Sequence, residues 1–560
     1  MQKILFVAIN ARYVHTNLAL LYLNQLTTTK AESSIAEFNI SQSSYDILTA
    51  IDDYLPDIVG FSVYIWNSKL VKEILNDIKK VLPRIKVILG GPEVSYNPQE
   101  WLDSYSSIDY IITGGGEQSW QHLLDQQFDL PDKIVHQNNY SINDIPFPYS
   151  EKNIASFKDR IIYYESSRGC PYSCTYCLSS RQETSLELRD LHLVKKELAF
   201  FINQKVSLVK FVDRTFNANA EHARSIWSFL MDKKPFTRFH FEINPSLITE
   251  QDIEILQKVP SNLFQFEIGV QSTHTETLKE ICRSGEWYLI KENIARLIRE
   301  TSIPIHLDLI FGLPYETYDI AQKSFNEIYS LQPDHFQPGM LKVLPGTVME
   351  EKAPTYDLVY QQDAPYRILA NRWISFTELN TLQKIEHLVN NLYNSQRFTR
   401  TLQNLIKLVD SPFDLYLKLV KFWAEKNVPP WQKDWVKTAT LIGGFTSSYY
   451  NSNYEFILDC LRWDLCSSSG LQYYPDFLLT PELSRIQGLW KRYLKQYLDD
   501  LCLEYEVEKK QIHRGNLFVP QTEKFQKQYL IHKNDVILFI KYPHNVVSEI
   551  IINFSKISDM

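Results

Sequence analysis

The chain has 560 residues and a mass of 65.8 kDa, which is too much for one hydrophobic core, so two or three domains are expected. With 58 Lys and Arg against 66 Asp and Glu, the net charge of −8 disfavours nucleic acid as the main partner. The 7 cysteines form no even framework, which favours a reducing cytoplasm, and no apolar stretch approaches the roughly 18 residues of a membrane-spanning helix.

Residues 1–135 are predicted to form a doubly wound, Rossmann-like domain. The strand candidates are continuous apolar runs: KILFVAI (3–9), IVGFSVYI (58–65), KVILGG (86–91) and DYIITGG (109–115). Two segments between them have helical periodicity: LALLYLNQL (18–26) and SKLVKEILNDIKKVL (68–82). Apolar runs without alternation indicate strands buried on both faces, and their alternation with helices predicts an open, mostly parallel sheet.

A ligand site is predicted beyond the carboxyl ends of these strands. Glycines and small residues follow several strands, and a missing Cβ allows a bulky ligand to approach the backbone. For any single loop, a tight turn into the next helix explains the glycines equally well. The candidate residues are Asn10, Ser62, Val63, Gly90, Gly91, Pro92, Glu93, Gly114, Gly115, Gly116 and Glu117.

A proline-containing linker at 136–158 is predicted to lead into a second alternating region at 159–350. A helix is expected near 186–203. The strand candidates are IIYYES (161–166), VSLVKFVD (206–213), FHFEI (239–243), LFQFEIGVQS (263–272), IPIHLDLIFGLP (303–314) and FQPGMLKVLPGT (336–347). Six strands with intervening helices predict a partial (β/α)6 barrel.

Residues 355–560 are predicted to form a mainly α-helical C-terminal domain. Helical patterns dominate this region, and a late strand pair is expected at FVPQT (518–522) and VILFIKY (536–542).

The loop CPYSCTYC (170–177) carries Cys170, Cys174 and Cys177 directly after the first predicted barrel strand. A structural zinc site would require a fourth Cys or His nearby, and none lies close in sequence. Three thiolates can instead hold three irons of a cubane cluster and leave the fourth iron open for a ligand. Closed zinc and inert cysteines remain the alternatives.

This loop resembles the C-x-x-x-C-x-aromatic-C motif of the radical S-adenosylmethionine (radical SAM) superfamily, with Tyr176 at the aromatic position. The resemblance implies a 4Fe–4S cluster whose open iron binds SAM, and cleavage of SAM to a 5′-deoxyadenosyl radical. It also implies an external electron donor such as flavodoxin or ferredoxin.

The same resemblance implies a set of SAM-binding residues at the strand ends. The family's Gly-Gly-Glu motif is replaced here by VDRTFN (212–217), which weakens the assignment of Asp213. Glu242 and Glu267 also fit ordinary strand-end charges. The implied SAM-binding residues are Tyr176, Asp213, Glu242, Glu267, Gln271, Ser272, Ile310 and Gly312.

A doubly wound domain before such a barrel resembles the cobalamin-binding domain of cobalamin-dependent radical SAM proteins. The residues that carry this resemblance are GFSVYIWNS (60–68), ILGGPEVSYNP (88–98) and DYIITGGGEQSW (109–120). The D-x-H-x-x-G motif of domains that bind cobalt through histidine is absent, so cobalamin is expected without a histidine on cobalt. His15, in the first loop, is a conceivable ligand but is expected to face solvent or to stabilise its loop.

The leading hypothesis is cobalamin-dependent methyl transfer to an unactivated centre of a small-molecule or peptide substrate. A non-methylating rearrangement or cyclisation enzyme and a non-catalytic cobalamin or iron–sulfur sensor are the alternatives. Methylthio transfer to tRNA is disfavoured, since that family adds a second three-cysteine cluster. The cysteines outside the loop are Cys282, Cys460, Cys466 and Cys502. The C-terminal domain resembles an uncharacterised module that follows this pair of domains in some bacterial proteins.

Overall fold

The computed structural model describes residues 2–137, 140–181, 185–283, 285–468, 471, 473–532, 535–541 and 547–553. The chain divides into two compact units. The first comprises Met1–Asp334 and Gly339–Leu379, and the second comprises His335–Pro338 and Asn380–Met560. Within the described residues, no helix has the length and apolar character needed to cross a bilayer.

The N-terminal part of the first unit is a six-stranded parallel sheet in the order β2-β1-β3-β4-β5-β6. Its strands are β1 (Lys3–Asn10), β2 (Glu32–Asn39), β3 (Ile58–Ser62), β4 (Lys86–Gly90), β5 (Tyr110–Ile112) and β6 (Ile134–Val135). Its helices are α1 (Leu18–Thr27), α2 (Ser44–Tyr54), α3 (Ser68–Val81), α4 (Pro92–Ser95), α5 (Pro98–Ser104) and α6 (Gly116–Asp125). This is the predicted doubly wound architecture, and its strand order reverses between β1 and β3.

Two elements of this sheet were absent from the sequence prediction. Strand β2 lies at the sheet edge, where most of its side chains are only partly buried, so its sequence ESSIAEFN lacks a continuous apolar run. Strand β6 has two residues. The predicted strands at 58–65 and 109–115 are shorter in the structure because their last residues form the loops that lead into α3 and α6.

The barrel follows as a six-stranded sheet in the order β14-β13-β12-β11-β10-β7, and all of it except the first four residues of β14 belongs to the first unit. Its strands, with the short pair β8 and β9, are β7 (Ile161–Tyr164), β8 (Ser167–Arg168), β9 (Glu187–Leu188), β10 (Leu208–Phe211), β11 (Arg238–Glu242), β12 (Phe264–Gln271), β13 (Ile305–Phe311) and β14 (His335–Met340). Its helices are α7 (Glu151–Ser156), α8 (Leu191–Asn203), α9 (Ala220–Lys233), α10 (Glu250–Leu256), α11 (Thr275–Glu280), α12 (Trp287–Glu300) and α13 (Tyr318–Ser330). Helix α7 lies in the predicted linker, and α8 begins at Leu191 because β9 occupies the residues just before it.

Side chains on the outer face of the barrel sheet form an aromatic layer beneath the helices. Phe211, Phe239, Phe241 and Phe266 are fully buried, and Trp227 of α9 packs against Phe241 and Phe266. The inward-facing positions of the same strands alternate with these residues and are mostly polar. The outer layer therefore supplies the apolar core of the barrel.

After the barrel strands, the first unit continues through α14 (Val348–Glu351), β15 (Val359–Tyr360) and β16 (Ile368–Ala370). The remaining helices are α15 (Phe376–Leu388), α16 (Thr399–Leu405), α17 (Pro412–Glu425), α18 (Trp435–Tyr449), α19 (Tyr454–Ser468), α20 (Pro481–Glu504), α21 (Lys509–Arg514) and α22 (Glu523–Tyr529). The last strands are β17 (Asn516–Phe518), β18 (Asp535–Lys541) and β19 (Val547–Asn553). The predicted C-terminal boundary at 355 stays a prediction.

The second unit is mainly helical, with a small antiparallel sheet in the order β17-β18-β19. The predicted strand at 518–522 was placed too late, since Pro520 lacks an amide for the ladder and β17 ends at Phe518. Tyr542, the last residue of the other predicted strand, lies outside the described residues. In the core, the Arg462–Asp459 ion pair is buried, at 2.8 Å, and Asp459 also accepts hydrogen bonds from Thr522.

Candidate functional site

The three-cysteine loop is fixed at its base and at its middle. Strands β8 and β9 pair antiparallel on either side of it. At its middle, the Thr175 amide donates to the carbonyl of Ile281 at 3.0 Å, and its carbonyl accepts from the amide of Met349 at 2.8 Å. The loop is therefore fastened to segments that follow strands β12 and β14.

The three thiols have different surroundings. Cys174 is buried, whereas Cys170 and Cys177 are partly exposed, and Cys170 Sγ lies 3.7 Å from Thr215 Oγ1. Burial raises the pKa of the Cys174 thiol, and the Arg283 guanidinium, whose Nη1 lies 4.0 Å from Cys174 Sγ, opposes this shift. Three soft sulfur donors on one short loop, with a cation beside the buried one, fit an iron–sulfur cluster.

Two of the remaining cysteines, Cys460 and Cys466, are separate from this loop in their contacts. Cys460 lies 3.6 Å from Asn404 Nδ2, and Cys466 lies 2.9 Å from the hydroxyl of Tyr474. Both are buried on α19. Their partners are ordinary polar groups of the C-terminal core, so the described residues give no indication of an auxiliary cluster there.

Asp213, a predicted SAM-binding residue, is buried and fully engaged with the start of the cysteine loop. Its carboxylate accepts hydrogen bonds from the Ser166 amide at 3.0 Å, the Ser166 hydroxyl at 2.7 Å and the Ser167 hydroxyl at 2.6 Å. Burial raises its pKa to about 6 despite these contacts. The geometry makes Asp213 a support of the loop, and its contact with SAM stays a prediction.

Glu242 and Glu267 lie on the inner face of the barrel with Lys210 and His240. Lys210 Nζ is 2.8 Å from Glu267 and 3.5 Å from Glu242, and His240 Nε2 is 2.9 Å from Glu267. Burial alone would raise the pKa of Glu267, but the contacts with His240 and Lys210 lower it. Glu242 ends β11 as expected, whereas Glu267 lies in the middle of β12, deeper than a strand-end position.

Gln271 and Ser272 lie at the end of β12, beside a carboxyl group that the sequence analysis did not select. Gln271 has a left-handed backbone, with φ of 73°, and its side-chain amide lies over Gly269. The buried Ser272 hydroxyl donates to Glu316 Oε1 at 2.8 Å. Glu316 thus links the end of β12 to the turn after β13, and it belongs to the stretch DLIFGLPYET (308–317) that carried the family resemblance.

Because Glu316 is buried, we predict that the free energy of unfolding depends on pH. Burial raises its pKa to about 8, so the folded chain holds a proton that the unfolded chain releases near pH 4.5. Stability should therefore fall as the pH rises from about 5 to 8, by roughly 1.4 kcal/mol for each pH unit crossed in that interval. Glu316→Gln should flatten this part of the curve in urea unfolding and be more stable than wild type at pH 8.5. The exposed Glu254→Gln is the control, and identical curves for Glu316→Gln and wild type would contradict the assignment.

Ile310 and Gly312 occupy the predicted fifth-strand motif. Ile310 faces inward on β13. Gly312 has φ of 88°, and a Cβ there would lie 3.0 Å from the Ile368 side chain, so glycine is needed for the fold at this turn. Its carbonyl accepts from Asn371 Nδ2 at 2.9 Å. Their contact with adenine stays a prediction.

The predicted cobalamin residues at the ends of β1 and β3 have protein partners. Asn10 Nδ2 donates to the carbonyl of His15 at 3.0 Å, and Ser62 accepts from Asn17 Nδ2 at 2.8 Å. Val63 is buried, and its amide donates to the carbonyl of Gly90 at 2.7 Å. His15 Nδ1 lies 2.7 Å from the hydroxyl of Tyr163 on β7, which is consistent with the expected role in its loop.

The glycine loops are explained in part by the fold itself. Gly91 has φ of 108°, and a Cβ there would lie 2.5 Å from the carbonyl oxygen of Val63. Gly114 has φ of 70°, and a Cβ would meet the ring of His136 at 2.8 Å. Pro92 begins α4, while Gly115 and Gly116 form the start of α6. Their contact with cobalamin stays a prediction.

Two acidic residues of these loops contact later segments of the first unit. Glu117 Oε1 accepts from Arg168 Nη2 at 2.8 Å, beside the cysteine loop, and Glu93 accepts from the hydroxyl of Tyr366. Both carboxylates are buried. Glu117 therefore ties the N-terminal sheet to the barrel, and Glu93 ties it to the segment between β15 and β16, in addition to any role toward a ligand.

Exposed aromatic and apolar side chains surround the point where the strand order reverses. Tyr13 and Val14 follow β1 and are 69% and 39% exposed, and Trp66 follows β3 and is 43% exposed. The Trp66 ring stacks on Tyr64 at 4.3 Å, and its Nε1 donates to the carbonyl of Ile9. An exposed apolar surface at this position fits a large, flat macrocycle such as a corrin.

Family models match three successive parts of the chain. "B12 binding domain" matches residues 4–124, "Radical SAM superfamily" matches residues 164–328, and "Protein of unknown function (DUF4080)" matches residues 354–539. These matches confirm the resemblances predicted from the cysteine loop and from the N-terminal glycine loops.

Curated relatives match about half of the chain. A 2-(S-pantetheinyl)-carbapenam-3-carboxylate methyltransferase of Streptantibioticus cattleyicolor is 24% identical over 304 residues, 47% of this chain and 43% of the relative. The cobalamin-dependent radical SAM methyltransferase TokK of Streptomyces tokunonensis is 23% identical over 295 residues, again 47% of this chain and 43% of the relative. The chain thus spans less than half the length of these two relatives.

Solved structures share the fold. The cobalamin-dependent S-adenosylmethionine radical enzyme OxsB, with aqua-cobalamin and S-adenosylmethionine bound, gives a TM-score of 0.57 at 15% identity, covering 89% of this chain and 84% of that one. The radical SAM methyltransferase TsrM of Kitasatospora setae gives a TM-score of 0.52 at 16% identity, covering 63% of this chain and 76% of that one. The predicted fold class is confirmed. The chain is a radical SAM protein with an N-terminal B12-binding domain and a C-terminal DUF4080 domain.

Proposed function

We propose that this protein is a cobalamin-dependent radical SAM methyltransferase. The observation that carries the proposal is that the B12-binding domain and the barrel with the three-cysteine loop form one compact unit. A methyl group carried by a corrin has to face the mouth of the barrel, and the contact of Glu117 with Arg168 fixes the N-terminal loops beside the cysteine loop. Arg168 also contacts Glu165 at 2.7 Å, so its guanidinium group is held by one carboxylate of the N-terminal domain and one of the barrel.

The chain's own residues bind and orient the cofactors. Cys170, Cys174 and Cys177 would hold a 4Fe–4S cluster, and the surface around Tyr13 and Trp66 would receive cobalamin. When bound, the cluster and SAM supply a 5′-deoxyadenosyl radical and cobalamin supplies the methyl group. Arg283 places a partly buried cation beside Cys174, and its Nη2 donates to the carbonyl of Gly269 at 2.5 Å. A flavodoxin or ferredoxin of the cytoplasm would supply the electron, and the substrate would be a small molecule or a peptide.

The test uses the full chain, reconstituted anaerobically with iron, sulfide and hydroxocobalamin, and supplied with SAM and a strong reductant. We expect 5′-deoxyadenosine together with S-adenosylhomocysteine, quantified by mass spectrometry. Formation of 5′-deoxyadenosine alone would overturn methyl transfer in favour of a rearrangement or cyclisation enzyme. Bound cofactors with neither product would overturn the enzyme assignment in favour of a sensor.

A further inference from the structure

Six titratable side chains project into the barrel interior from four neighbouring strands. Lys210 comes from β10, His240 and Glu242 from β11, Glu267 from β12, and His306 and Asp308 from β13; we call them the lumen cluster. The interior of a complete parallel barrel is ordinarily packed with branched apolar side chains. The apolar core of this barrel lies on the outer face of the sheet, so the lumen cluster is not needed to form it.

The lumen cluster is accessible and acidic. Its side chains keep between 10% (His240) and 32% (Glu242) of their surface exposed, whereas the phenylalanines on the opposite face are fully buried. Three carboxyl groups share one ammonium group, and Lys210 is already 2.8 Å from Glu267. Burial lowers the pKa of His240, so this ring adds little positive charge. The interior therefore has more acceptor capacity than its own cations satisfy.

The spacing of the acceptors suits one small donor. Ligand atoms of Glu267 and Asp308 lie within 4.8 Å of each other, so a single nitrogen between them can contact both carboxylates at hydrogen-bond distance. Asp308 contacts His306 at 3.0 Å, and burial raises the pKa of Asp308 and of Glu242. Lys210 repels any cation beside Glu267, and it repels a divalent metal with twice the charge of an ammonium group, so a monovalent cation is the better fit.

We propose that the lumen cluster binds a protonated amino group of the substrate between Asp308 and Glu267, with Glu242 adding negative charge beside them, so that Glu242 and Glu267 serve the substrate and not SAM. This inference rests on the proposed function, because it assigns the substrate class of the same barrel. The amino group would be drawn into the barrel interior, and the carbon to be modified would remain nearer the cysteine loop. The shared chemistry is an ammonium group, carried either by a small amine or by a lysine side chain of a peptide.

The test measures binding to the fully reconstituted chain, with saturating SAM, by calorimetry. The probe is 1,4-diaminobutane, and 1,4-butanediol is its uncharged counterpart. We expect the diamine to bind, the diol not to bind, and Asp308→Asn and Glu242→Gln each to bind the diamine about tenfold more weakly. The exposed Asp232→Asn on α9 is the matched control and should bind as wild type does. Thermal unfolding of each variant verifies that it is folded.

Equal binding of the diol, or equal diamine binding by Asp308→Asn and Asp232→Asn, would overturn the inference. Stoichiometric zinc retained by wild type and lost in Asp308→Asn would overturn it in favour of a metal site.

Binding of the diamine but not of a lysine-containing nonapeptide would support a small amine as the substrate, and binding of the nonapeptide but not of the diamine would support a peptide. Diamine binding without 5′-deoxyadenosine formation would overturn the proposed function alone, and 5′-deoxyadenosine formation without diamine binding would overturn this inference alone.

Discussion

Replacing Cys174 by alanine is expected to abolish the iron–sulfur cluster and all cleavage of SAM. Cys174 is the buried member of the three thiols, and its loop is fastened through the Thr175 backbone to Ile281 and Met349. Two thiolates cannot hold three irons of a cubane, so the remaining cysteines should not retain it. The measurements are the iron and sulfide content after anaerobic reconstitution and the low-temperature electron paramagnetic resonance signal of the reduced protein, with and without SAM.

Cys282→Ser is the matched control for this experiment. Cys282 is exposed, and its carbonyl oxygen lies 3.9 Å from Cys174 Sγ, so it is the cysteine nearest to the loop by contact. A three-cysteine site predicts that Cys282→Ser keeps the cluster and the change of its signal on addition of SAM. Retention of the cluster by Cys174→Ala, or its loss in Cys282→Ser, would contradict the three-ligand assignment.

Replacing Arg160 by alanine is expected to loosen the N-terminal domain from the barrel. Arg160 contacts both carboxylate oxygens of Glu37, at 2.6 and 2.8 Å, and donates to the carbonyl of His15. Its side chain is only 7% exposed and that of Glu37 is 25% exposed, so the change leaves a half-buried carboxylate without its cation. We expect a loss of about 2–3 kcal/mol in the free energy of unfolding, somewhat below the roughly 3–5 kcal/mol for a fully buried pair because Glu37 is partly exposed.

Hydrogen exchange measures the local consequence of this change. The Ile161 amide donates to the carbonyl of Val14 at 2.8 Å, and its protection should fall in Arg160→Ala. The control is Arg296→Ala, which removes contacts of 2.8 and 2.9 Å with the exposed Glu250 and a longer one with Glu300, and which should change little. Adding Glu37→Gln to Arg160→Ala should restore part of the lost stability, because the uncompensated charge disappears. Equal effects of Arg160→Ala and Arg296→Ala would show that the contact is not structural.

The architecture was predictable because its central strands are continuous apolar runs. Strand β1 is buried along nearly its whole length, and the sequence KILFVAI reflects this directly. Strand β2 was missed because an edge strand needs no such run, and α7 was missed because a six-residue helix gives no periodicity to detect. The end of β17 was predicted too late because the prediction did not use Pro520, which has no amide hydrogen to donate to a neighbouring strand.

The candidate site was predictable where a single short segment carries the chemistry. The spacing of Cys170, Cys174 and Cys177 suffices for the cluster hypothesis. Contacts between distant segments could not be read in the same way: Arg283 lies 109 positions from Cys174, and Glu316 lies 44 positions from Ser272. The lumen cluster did leave a signal, since HLDL (306–309) alternates charged and apolar residues, which marks an inward polar face.

The pairing of the N-terminal loop with β7 also bears on how the chain folds during synthesis. Strand β7 is an edge of the barrel sheet, and residues 14–16 bond to Ile161 through backbone and side-chain groups. During synthesis the N-terminal domain leaves the ribosome before the barrel does. Its loop is therefore available to pair with β7 as soon as that strand emerges. Unpaired strand edges recruit other chains. We therefore expect a truncated chain that begins at the barrel, and so leaves β7 unpaired, to aggregate on translation.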